Sequence, residues 1–160
     1  MIETIQGKIL FDPIDLTKKH VSQSSWKKIV IALIEGDICE YYAWFIKKRY
    51  NIKLNSPLRG AHFTIINDIV SDLKKYNYIN KNYNNKIINI KISDQIKTDG
   101  LHYWLICESE DAMKIRNKCN LSSIPYWGFH ITIGIIAGRE YEIEHANYIF
   151  SFFEKGLVIS

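Results

Sequence analysis

No stretch of this 160-residue chain approaches the roughly 18 consecutive apolar residues of a membrane span. The first residues, MIETIQGKILFDP, carry an acid at position 3 and no long apolar segment, so a secretory signal is not expected. Cysteine is scarce. Cys39, Cys107 and Cys119 are odd in number, irregularly spaced and contain no CxxC pair, which argues against a disulfide framework. Reduced thiols, buried as small hydrophobes, are the expectation. None of the eight glycines falls in GxGxxG or GxxxxGK[ST], so no phosphate-cradling loop of the dinucleotide or Walker type is present.

What the chain does have is apolar mass. At 47% hydrophobic and 24% charged it has enough to fold without staples, and disorder or a collagen-like fibre is excluded. The length suits one domain over residues 1–160 and is too short for two ordinary enzyme domains. A formal charge of +4 is compatible with a phosphate-bearing ligand without being a nucleic-acid signature. The abundance of Ile, Lys and Asn fits AT-rich codons and says nothing about chemistry.

Residues 7–12 read as a strand ended by Pro13, and the polar residues 14–26 as a surface loop. The β-branched run 28–34 is a buried strand. Apolar residues at 38, 41, 42, 45 and 46 have helical spacing, and Lys47, Lys48 and Arg49 suit the last turn of a helix over 38–50. A strand over 61–67, a short helix over 69–78 and an Asn-rich linker over 79–85 follow. Strands are expected over 86–92, 101–107 and 128–136, with a turn at Asp99-Gly100 and a helix over 109–120 capped by Ser109. Residues 140–154 carry a helical apolar stripe.

The order strand, helix, strand thus occurs twice, and the final strand of each unit carries nearly the same words. Residues 60–65 read Gly-Ala-His-Phe-Thr-Ile and residues 128–133 read Gly-Phe-His-Ile-Thr-Ile, four of six positions agreeing. On a strand, His62 and Thr64 share one face while Phe63 and Ile65 share the other; His130 and Thr132 repeat the pattern. If the two units pack with pseudo-twofold symmetry, two imidazoles and two hydroxyls surround one small group. Two imidazoles supply a general base and a general acid on opposite sides of one centre. Two hydroxyls hold the non-bridging oxygens of a phosphate between them. That set describes metal-free cleavage of a phosphodiester.

The paired motifs His62-x-Thr64 and His130-x-Thr132, each flanked by hydrophobics, resemble the signature of the two-histidine (2H) phosphoesterases. That superfamily includes RNA 2′,3′-cyclic phosphodiesterases, ligase-like bacterial enzymes and phage enzymes that degrade cyclic-oligonucleotide signals. The resemblance implies a bilobal α+β fold, with two pseudo-symmetric strand-helix-strand lobes around a central cleft: lobe one over about 7–67, lobe two over about 86–136, and a terminal helix over about 140–154. It implies two antiparallel sheets, no metal and no cofactor, with His62, Thr64, His130 and Thr132 as the catalytic set. It suggests His130 as base and His62 as acid. The expected substrates are ribonucleotide phosphodiesters: 2′,3′-cyclic phosphates, RNA ends or small cyclic oligonucleotides. The expected setting is the cytoplasm, that of the host if the gene is a phage's, with no membrane and no stable protein partner. The alternative is a non-catalytic nucleotide- or RNA-binding module on the same fold.

Further residues carry two readings each. Arg59, three before His62, reaches a second phosphate or is a solvated loop cation. Tyr126 and Trp127 stack on a base or staple their loop, and Trp104 is a stacking wall or a core residue. Lys18, Lys19 and His20 attract phosphate or form a solvated run, and Asn67-Asp68 reads as turn chemistry. A zinc site through His62, His102 and His130 is the competing chemistry. No HxxxH, HExxH or carboxylate cluster accompanies these residues, and the threonines would have no role in it.

Overall fold

The computed structural model describes residues 2–13, 28–57, 60–138 and 157–158. Among these residues, eight strands and three helices follow in the order β1 (Ile2–Phe11), β2 (Val30–Ile34), α1 (Ile38–Tyr50), β3 (Leu54–Asn55), β4 (His62–Ile66), α2 (Leu73–Tyr83), β5 (Ile87–Thr98), β6 (His102–Glu108), α3 (Glu110–Lys118), β7 (His130–Ile136) and β8 (Leu157–Val158). All pairings are antiparallel. The path β1-β2-β4-β7-β6-β5 closes through a β1–β5 ladder, giving a six-stranded barrel in a mixed α+β fold. β3 adds to β7, and β8 to β5.

Alternation makes these strands and sets their faces. Along β5, Ile88, Ile90 and Ile92 are buried while Ile87, Asn89 and Lys91 are exposed. One side of the closed sheet carries Ile9, Ala32, Phe63, Leu105 and Ile131, which pack in a single cluster with Cys39 and Ile46 of α1 and Ala112 and Ile115 of α3. Each fully buried Ile, Leu or Phe side chain among them contributes roughly 1.5–3 kcal/mol. A one-residue slip of β4 or β7 would exchange that gain for buried imidazole and hydroxyl, so the core itself fixes the register of both His-x-Thr strands.

Several elements differ from the sequence expectation. The first strand begins at Ile2, because Thr4 and Gln6 lie on its exposed side while Gly7, Ile9 and Phe11 are buried. The expected 79–85 linker is largely helix. α2 runs to Tyr83, with Asp72 capping the Lys75 amide at 3.1 Å and with Tyr76 and Ile79 buried, a spacing that the many asparagines obscured. β5 extends past residue 92 to Thr98 through a register shift between Ile92 and Ile96, where Ser93-Asp94-Gln95 interrupts the alternation. β3 was not anticipated. It lies so close to β7 that a Cβ on Gly134 would run into the Asn55 carbonyl. The strands of both repeated units lie in one sheet rather than two, and one core serves both. α1 and the Ser109 cap of α3 are as expected. The loop over 14–26 and the helix over 140–154 fall outside the described residues.

Candidate active site

Each His-x-Thr strand is entered through the same turn. The Gly60 amide donates to the Pro57 carbonyl at 3.1 Å, and the Gly128 amide to the Pro125 carbonyl at 2.9 Å. Both glycines adopt left-handed backbone, φ +74° and +71°, which a side chain rarely tolerates. That conformation aims each glycine carbonyl at the histidine two residues on. His62 Nδ1 lies 2.9 Å from the Gly60 oxygen and His130 Nδ1 lies 3.0 Å from the Gly128 oxygen. A carbonyl only accepts, so Nδ1 carries the proton in both rings and Nε2 is the basic nitrogen of the neutral form. The repeat therefore reads Pro-x-x-Gly-x-His-x-Thr-Ile. The matched prolines were a signal in the sequence that the shorter six-residue comparison missed.

The two strands are neighbours, paired through Phe63 and Ile131. Counting outward in antiparallel register, His62 falls opposite Thr132 and Thr64 opposite His130, all on the side away from the core. Directly opposed residues lie about 4.5–5.5 Å apart at Cα. All four are half-buried, so solvent and ligand reach them. The flanking strands repeat the relation. Leu33, Ala32 and Ile31 oppose His62, Phe63 and Thr64 on one side, and Ile106, Leu105 and Trp104 oppose His130, Ile131 and Thr132 on the other. Register shifts fall at equivalent points, between Val30 and Ile31 and between Tyr103 and Trp104. The Ile34 amide donates to the Ala61 carbonyl as the Cys107 amide does to that of Phe129, both at 3.0 Å. The duplication is thus one of backbone hydrogen bonding as well as of residues.

The surroundings are less symmetric. Trp104 and Trp127 are buried together with Ile106 beside them, a packed wall rather than an open stacking platform. The opposite flank is aliphatic, with Ile29, Ile31 and Leu10. Tyr126 meets the Trp127 ring edge-on at 5.0 Å and is 70% exposed, so of the three expected stacking residues it is the accessible one. His102 is buried and its Nδ1 lies 3.0 Å from Asp99 Oδ2, while Asp99 Oδ1 accepts from the amides of Leu101 and His102. Burial pushes the Asp99 carboxyl up, but the bonds from His102 and Leu101 outweigh it and hold it below the usual range. Asp68, expected as a turn residue, lies at a bend just past β4 and also pairs with a buried arginine, Arg116. Arg59, Lys18, Lys19 and His20 lie outside the described residues.

Burial also acts on the second imidazole. It pushes His130 down to about 4. The nearby His62 acts in the same direction, and the Gly128 carbonyl opposes them by favouring the protonated ring. At neutral pH His130 is therefore a neutral base. Two cavities, of about 650 and 600 Å³, are lined in part by Tyr41, Tyr42 and Asp37 and by Ser109, Asp111 and Phe129 respectively; neither is lined by the four His and Thr side chains. The chemistry of the four convergent groups, rather than concavity, locates the candidate site. Among the described residues no group of three His, Cys, Asp or Glu has the spacing to hold a metal ion, and no helix is long and apolar enough to cross a membrane. Comparison with family models, curated proteins and solved structures finds no match.

Proposed function

We propose that this protein is a metal-independent phosphodiesterase of the two-histidine type acting on ribonucleotide phosphodiesters. The observation that carries the reading is the paired register of β4 and β7, which sets two identically oriented imidazoles and two hydroxyls on one face. The two repeated units then act as two lobes flanking that face. His130 Nε2 takes a proton from a ribose 2′-hydroxyl, or from water when the substrate is a 2′,3′-cyclic phosphate. His62, as imidazolium, returns a proton to the leaving oxygen. Thr64 and Thr132 donate to the non-bridging oxygens and hold the phosphorus in line. The positive imidazole also offsets the charge that builds on those oxygens. Tyr126 offers a ring to a base. Catalysis in this direction needs His130 neutral, and its lowered pKa keeps it so at neutral pH.

The reading is tested by incubating the protein with 2′,3′-cyclic nucleotides, RNA oligomers and cyclic oligonucleotides, with and without EDTA, and reading products by mass spectrometry. Cleavage that survives chelation is expected, since each step moves a proton between named side chains. A 3′-5′ linked substrate with a 2′-deoxy sugar at the scissile position should bind and resist cutting. Activity lost to chelator and restored by one divalent ion would overturn the mechanism. Binding without turnover of any substrate would leave the nucleotide-binding module.

A further inference from the structure

The near-twofold relation of the His and Thr groups does not extend to what holds them. Counting from the matched residues Leu33 and Ile106, the buried Cys39 and Ile46 of α1 correspond to the buried Ala112 of α3 and Cys119 at its C-terminal cap. On that count Ala43 corresponds to Arg116. One unit has a methyl group where the other has a guanidinium with no exposed surface.

Arg116 bonds to the strand of the first motif and to the loop ahead of the second. Its Nη1 donates to the Ile65 carbonyl at 2.9 Å, one residue beyond Thr64, and to Asp68 Oδ1 at 2.7 Å; its Nη2 donates to Asp68 Oδ2 at 3.0 Å. On its other side Nε donates to the Ser122 carbonyl at 2.7 Å, and the guanidinium carbon lies 5.6 Å from the centre of the Trp127 ring. Trp127 directly precedes Gly128, whose carbonyl orients His130. A single side chain thus ties the strand of the first motif to the loop that delivers the second. A buried ion pair is a weak source of net stability, because desolvation offsets its attraction. The twin position, Ala43, manages without one. Planar, directional bonding in several directions is what arginine supplies that an apolar residue does not.

We propose that Arg116 is a positioning residue that fixes the separation and orientation of His130 relative to His62 by clamping the exit of β4 to the loop before β7. The proposal rests on the two-histidine reading for its catalytic consequence, while its geometric content stands apart from it.

Arg116→Met leaves Asp68 unpaired and is at risk of not folding, so Arg116→Lys, which keeps the charge without the fork, and Asp68→Asn, which keeps the shape, carry the test. Each is assayed well below its melting temperature for kcat and KM on 2′,3′-cyclic AMP, and the His130 ring is titrated by NMR. Arg116→Lys is expected to lower kcat at least about tenfold with KM within about twofold, and Asp68→Asn to act in the same direction more weakly. The His130 titration should move up from about 4 toward 6.5, as the half-buried ring loosens and gains access to solvent. A purely structural role would lower the melting temperature and leave both readings where they are. Folded Arg116→Lys protein with parental kcat and an unmoved His130 titration overturns the proposal. If the parent protein cleaves no phosphodiester, the two-histidine reading fails by itself, and the titration alone decides: moved, the clamp stands; unmoved, it falls.

Discussion

His62 and His130 occupy matched places in sequence and backbone, and at His130 burial holds the imidazole well below its ordinary range, with the nearby His62 adding to the shift. This has two consequences at the level of single residues. Replacing either histidine by alanine should lower kcat by at least about a hundredfold with the fold retained, since each removes one proton-transfer partner. Thr64→Ala and Thr132→Ala should cost less in kcat and raise KM. Near-parental turnover by either histidine variant would end the assignment. The second consequence concerns pH. A base must be neutral to act, so the acid limb of the rate profile should lie nearer 4 than 6.5, with the apparent values belonging to the pair. The same shift acts on stability. Between 6.5 and about 4 the unfolded chain binds a proton that folded His130 resists, so stability falls as pH drops through that window. Denaturant titrations of the parent and of His130→Ala should show this slope in the first and its loss in the second.

At the level of elements, the two turns and the β3–β7 contact use glycine for different reasons, and alanine distinguishes them. A Cβ on Gly60 or Gly128 meets nothing within 4 Å, so the penalty is only that of left-handed backbone, about 1–2 kcal/mol. The alanine variants should melt slightly lower and lose turnover disproportionately, because the carbonyl that orients each histidine tilts away. Gly134→Ala instead forces a methyl group against the Asn55 backbone and should cost roughly 1–3 kcal/mol, read as a shift of the urea midpoint, with any loss of turnover following the loss of fold. Legibility divides along similar lines. His62, Thr64, His130 and Thr132 were readable because strand alternation and a repeated phrase both act over a few residues. α1 and α3 were readable from local spacing and the Ser109 cap. Arg116 was not, although it occupies the apolar stripe Ala112, Ile115, Cys119, because no local rule says where a buried guanidinium finds its acceptors. The second half of β5 was hidden by a polar interruption, and α2 by its asparagines.

For the whole molecule, the decisive contact is the β1–β5 ladder, which local pattern could not foretell because it joins residues 2–8 to 87–93. It turns two repeated units into one closed sheet around one core, and the three cysteines report on that closure. Cys39 belongs to the first unit, Cys107 and Cys119 to the second, and all three are buried in the same hydrophobic cluster. Burial raises each thiol, with Cys39 pushed up to about 12, so thiolate is scarce as well as inaccessible in the folded protein. A thiol reagent should therefore label the native protein slowly. In increasing urea, mass spectrometry of the labelled protein should show all three sites gaining reactivity in one transition, because exposing any of them means opening the shared core. Two lobes with separate cores would instead release Cys39 at one urea concentration and the Cys107–Cys119 pair at another. Split transitions of that kind would show that the ladder closes the sheet without joining the units into one cooperative fold, and would return the molecule to the two-lobed arrangement that its repeated sequence suggests.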